Sequence, residues 1–129
     1  MRHQQWVKRL TAVEAEWRNA PLEYGKQDCG RMAARCVDAV LGTDHESQLT
    51  YLTPREAVAL IRKHRKLMWL VTHLIGPPKA GPPVRRGDIG QVGRHSLAVC
   101  FGPHTLAITQ LGMRPIDRRL LQPWHWEVG

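Results

Sequence analysis

The chain has 129 residues, enough for one domain with its own core and too few for two. Nineteen Lys and Arg against eleven Asp and Glu leave a net charge of +8, which points to an anionic neighbour such as nucleic acid, an envelope polymer or an acidic protein face. Three cysteines, an odd number, argue against a disulfide framework; no apolar run reaches the length of a membrane span, and the amphipathic N-terminus does not read as a cleaved signal.

Trp6, Leu10, Val13 and Trp17 recur at helical spacing, so residues from about 4 to 19 read as an amphipathic helix that ends before Pro21. A second helix starts after Asp28, a good N-cap, and stops at Gly42, a natural C′ residue. Its apolar stripe is Cys29, Met32, Ala33, Cys36, Val37 and Val40, which puts Cys29 on the buried face. Thr53, Pro54 and Glu56 announce a third helix through a capping box with proline at its first position.

Residues 76–87, rich in Pro and Gly, read as a surface connector within one domain. Beyond it the apolar period changes to two. Strands are expected at 88–92, 95–101, 105–111, 114–116 and 124–128, with a tight turn at Gly93-Arg94. Helices first and an antiparallel meander second define an α+β domain spanning 1–129, with its helical part at about 1–75 and its sheet at 88–129.

The segment richest in chemistry is Asp28-Cys29. A cysteine on the first turn of a capped helix faces unpaired N–H groups and the positive end of the helix dipole, and both favour a thiolate. A thiolate is the nucleophile of cysteine hydrolases. No Cys-x-x-Cys or His-x-x-x-His pair occurs, so neither a metal nor a cofactor is expected. The basic residues, at Lys8-Arg9, Lys63 to Lys66, Arg85-Arg86 and Arg118-Arg119, do not interleave with aromatic residues, which speaks against a nucleic-acid platform.

Taken in order, Tyr24-Gly25, Asp28-Cys29, Arg86-Gly87-Asp88-Ile89 and His95 to Gly102 resemble the NlpC-like branch of the papain-like cysteine peptidases. The likeness extends to short phage tail-associated members through Pro21 to Cys29, Gly42-Thr43-Asp44, Tyr51 and the terminal Trp124-His125-Trp126-Glu127-Val128. It covers almost the whole chain. The resemblance implies three helices packed on a small antiparallel sheet. It also implies Cys29 as nucleophile, His95 as its base, a polar residue near Thr109 or Gln110 as orienter, and Tyr24 and Asp28 near the oxyanion or substrate.

His95 lies seven positions before Gly102, one more than the family pattern has. Alignment on Gly102 therefore puts Ser96 in the histidine slot, and one step along a strand reverses the face. On that register Ser96, Ala98 and Cys100 form a small-residue face suited to the Cys29 helix; a bulge near Gly93-Arg94 would return His95 to it.

The expected function is a bacteriophage tail component, at the tail tip or in tail assembly, in the virion and earlier in the host cytoplasm. Its partners would be other tail proteins, with Trp124 and Trp126 as candidate interface anchors. The alternative is an active endopeptidase or amidase that opens peptidoglycan stem peptides with Cys29 and His95. A nucleic-acid module ranks last.

Overall fold

Four helices precede a six-stranded, wholly antiparallel sheet in the computed structural model, which describes residues 1–129. The helices are α1 (Trp6–Trp17), α2 (Cys29–Leu41), α3 (Pro54–Lys63) and α4 (Leu67–Ile75). The strands are β1 (Lys79–Ala80), β2 (Ile89–Val92), β3 (Ser96–Cys100), β4 (Thr105–Thr109), β5 (Gly112–Pro115) and β6 (Leu121–Trp126), in the spatial order β1-β6-β2-β3-β4-β5. The α+β order read from the sequence holds.

The caps act as their residue types dictate. Asp28 accepts the Arg31 N–H at the start of α2, Gly42 closes that helix with φ 74°, and Thr53 caps α3 ahead of Pro54. α4 is a fourth helix that the sequence reading lacked. Leu67-Met68-Trp69-Leu70-Val71 is too uniformly apolar to show a helical period, and its N-cap, Lys66, makes no capping bond. Arg65, at φ 73°, turns the chain between α3 and α4.

Inside the Pro/Gly connector, Lys79 and Ala80 pair with His125 and Trp124, so the connector contributes an edge strand. β6 starts at Leu121, earlier than expected, because Pro123 sits in a bulge: Gly90 and Val92 of β2 are partnered by His125 and Leu121, which leaves three β6 residues opposite Gln91.

Twenty buried apolar residues form the core between α1, α2, α4 and the sheet. The face of β3 turned to this core is Leu97, Val99 and Phe101, while Ser96 is exposed. This corrects the expectation that the small-residue face meets α2. The small residues serve the opposite side, where a Cβ on Gly90, the partner of Ala98, would come within 2.9 Å of Pro83 and 3.1 Å of Leu121. Connector and β6 pack too closely there for larger side chains.

The chain ends are tied to the start of β2. Asp88, 1% exposed, accepts from Arg2, Arg85 and the Val128 N–H, and Arg2 also reaches the Val128 and Arg86 carbonyls. A buried carboxylate with this many donors is a structural anchor.

Candidate active site around Cys29

Residues 23–27 form a small closed loop, with reciprocal main-chain bonds between Glu23 and Gln27 and φ 91° at Gly25. The loop delivers Asp28 to the mouth of α2, where its carboxylate is 1% exposed. One oxygen accepts from the Arg31 N–H at 2.9 Å and from the Tyr51 hydroxyl; the other accepts from the Gly25 N–H at 3.0 Å and the Arg31 guanidinium at 2.7 Å. Arg31 in turn donates to the Leu49 and Tyr51 carbonyls and stacks over the Tyr51 ring. Every acceptor site of Asp28 is filled. The expectation that Asp28 binds oxyanion or substrate is thus corrected to a scaffold that fixes the first turn of α2.

Cys29 follows at the first helical position. Its thiol donates to the main-chain carbonyl of His95 at 3.8 Å, and the His95 ring makes no hydrogen bond to the sulfur. Burial pushes the thiol pKa up and the Asp28 carboxylate adds to this, against main-chain groups of Leu97, Gly30 and Cys29 itself that favour the thiolate. The helix start was expected to acidify the thiol; desolvation outweighs it. The N–H groups of Cys29 and Gly30 have no main-chain acceptor and lie beside the sulfur.

His95 belongs to the Gly93-Arg94-His95 turn and is exposed at the rim of the same cleft as Cys29. No bulge in the β2–β3 pairing is needed, since His95 continues the Leu97–Val99 alternation that faces α2. Tyr24, 38% exposed, stands on the opposite rim, its pKa raised by partial burial and by the neighbouring Cys29 and Asp28.

Behind these groups opens a cavity of about 110 Å³ between α2, α3, α4 and the sheet. Eighteen of its 22 lining residues are hydrophobic, among them Val37, Ile61, Leu70 and Ile89, so it can receive an apolar group but offers few polar contacts.

The other candidates lie elsewhere. The Thr109 hydroxyl closes the β4–β5 turn through Gly112 and Leu111, and neither Thr109 nor Gln110 lines the cleft. His104 is exposed in the turn before β4. Trp126 is 1% exposed, with its indole donating to Thr72, which corrects its reading as an interface anchor. Trp124 is half-buried and donates to Gln91 at 3.3 Å.

Gln91 and Arg31 went unmarked in the sequence, and Tyr51 was noted there without a role. Gln91 donates to the Gly93 carbonyl at 2.9 Å and so braces the turn that carries His95. Its signal was a polar residue in an otherwise apolar strand. Arg31, three residues after Asp28, was legible as a capping partner.

The molecule is therefore an α+β domain with a helix-borne cysteine at the mouth of an apolar cleft. The chain belongs to the family described as Domain of unknown function (DUF6950), whose model matches residues 1–125. No curated protein and no solved structure matches it.

Proposed function

We propose that this chain is a bacteriophage tail component, at the tail tip or in tail assembly, built on an NlpC-like, papain-like fold with an unarmed thiol. The observation that carries the unarmed thiol is the pairing of Cys29 with the carbonyl of His95 instead of its ring, while the tail assignment rests on the sequence resemblance. A carbonyl accepts the thiol proton as a hydrogen bond but cannot remove it, and desolvation of the half-buried Cys29 favours the protonated thiol. The NlpC-like assignment is supported by the order of parts: Asp28-Cys29 at a helix start, that helix on an antiparallel sheet, and a histidine entering the strand beside it.

A second reading is favoured by the placement of His95 and Tyr24 on the rim of one cleft with Cys29. Rotation of the exposed His95 side chain onto Sγ would complete a base–nucleophile pair. Cys29 would then attack a peptide carbonyl, and the N–H groups of Cys29 and Gly30 would hold the oxyanion.

The test is made in the phage that encodes the chain. Its deletion should give tail-defective particles under the electron microscope, restored equally by wild type and by Cys29→Ala. Restoration by wild type alone, with purified protein releasing stem peptides from peptidoglycan, would establish the enzyme instead. Normal particles after deletion would refute the tail reading.

A further inference from the structure

We propose that the corner joining α3 and α4 docks the protein on a membrane surface rich in anionic lipid, an interaction independent of the Cys29 site. Arg62-Lys63-His64-Arg65-Lys66 is an almost unbroken basic run, and Arg62, Lys63, Arg65 and Lys66 are all exposed. None of these four forms an ion pair, whereas Arg2 and Arg31 each pair with one carboxylate and bond to two main-chain carbonyls. The left-handed backbone at Arg65 folds the run back on itself, which gathers its cations into one tight turn. Four exposed cations within five residues, none of them in an ion pair, present a local positive charge that a dense anionic surface complements.

The apolar partner of this corner is α4. Trp69, 49% exposed, lies one turn after Lys66, and its main-chain N–H bonds to the Lys66 carbonyl. His73, a turn further on, packs its ring 5.2 Å from that of His64, which joins the indole's face of α4 to the end of α3. An exposed indole beside a cluster of cations suits a helix that lies in a bilayer interface, with the indole at headgroup depth and the cations on lipid phosphates. A single-strand nucleic-acid platform would instead present several aromatic faces along a cationic groove; here the cations occupy one turn beside a single indole. No helix is long and apolar enough to cross a membrane, so the contact is peripheral.

The test is co-sedimentation of the full chain with vesicles of phosphatidylcholine, alone or mixed with phosphatidylglycerol. Binding is expected only to the mixed vesicles and should weaken as salt rises. Near an anionic surface each cation contributes about fivefold in partition, so Arg62→Ala with Lys66→Ala should lower binding about 25-fold. Trp69→Ala should weaken it further without change in the circular dichroism spectrum. Lys8→Ala with Arg118→Ala, which removes the same charge from exposed positions elsewhere, should change binding less than about twofold. Equal binding to both kinds of vesicle would overturn the proposal, as would equal losses in the two double variants. A single-stranded oligonucleotide bound through the same residues, with no vesicle binding, would replace the membrane by nucleic acid.

Discussion

The Cys29 thiol points its proton at the main-chain oxygen of His95, 3.8 Å away, while the imidazole of the same residue stands free at the rim of the cleft. Thiol and imidazole thus share a cleft without sharing a hydrogen bond. Alkylation of Cys29 by iodoacetamide at neutral pH should accordingly be slower than that of an unfolded cysteine peptide. Its rate should keep rising with pH beyond about 8.5, where the free thiol has half ionised. His95→Ala should leave the rate within about twofold, since the ring does not activate the sulfur. A tenfold fall in that variant would show that the ring reaches Sγ in solution.

The same burial sets the pH range of stability. Desolvation is the first cause that raises Cys29, Cys36 and Tyr51, and for Tyr51 the hydrogen bond to Asp28 adds to it. The fold therefore prefers the protonated thiols and phenol, and the unfolded chain loses those protons first. Their contribution is fully present below the unfolded pKa values, about 8.5 for Cys and 10 for Tyr, and is lost as pH rises through the folded ones. The urea midpoint should be flat from neutrality to about pH 8 and fall steadily above it. Cys36→Ala, although less stable at pH 7, should show a shallower alkaline decline.

Tyr51 and Gly30 are coupled by contact. A Cβ at Gly30 would run into the Tyr51 hydroxyl, the group that donates to Asp28. Gly30→Ala should cost about 1–3 kcal/mol by displacing that ring. Once the hydroxyl is removed by Tyr51→Phe, the nearest ring carbon lies 3.4 Å from the new methyl group, an ordinary contact. The double variant should therefore be more stable than the sum of its parts by about 1 kcal/mol or more in a denaturant cycle. Strict additivity would mean that the ring shifts freely.

Asp28 carries more than its cap. Asp28→Ala removes the partner of an Arg31 side chain that is only 9% exposed, and leaves a buried guanidinium with main-chain carbonyls alone. The expected loss is about 3–5 kcal/mol in chemical denaturation, well above the ~1 kcal/mol of a cap alone. A loss near 1 kcal/mol would show that Arg31 escapes to water.

What the sequence made legible was local chemistry. Asp28, Gly42, Thr53 and Pro54 state their positions through caps, and a change of apolar period marks the start of the sheet. What stayed hidden depended on partners distant in the chain. The face of β3 was judged from the small size of Ser96, Ala98 and Cys100, but Gly90, the partner of Ala98, is crowded by the connector and β6, and the core takes Leu97 and Val99. α4 has no N-terminal capping bond, and its exposed side carries Trp69, an apolar residue that hides the helical period. Asp28-Cys29 drew the eye to the mouth of the cleft, but the ionisation of Cys29 turns on desolvation, which motif spacing does not report.

The two terminal tryptophans separate core from surface on neighbouring turns of one strand. Trp126 is 1% exposed within the main core and hydrogen-bonded to Thr72 of α4, so Trp126→Ala should cost about 3–5 kcal/mol in chemical denaturation. Trp124 is half-buried against Gln91, which braces the turn before His95. Trp124→Ala should cost less, about 1–2 kcal/mol, because part of the indole already contacts water. Its distinctive effect should fall on the turn, as faster hydrogen exchange at Arg94 and His95 and an altered alkylation rate at Cys29. Trp124→Phe, which keeps most of the packing and loses the indole N–H, isolates the brace. Unchanged exchange in the turn for both variants would sever the link from β6 through Gln91 to the cysteine.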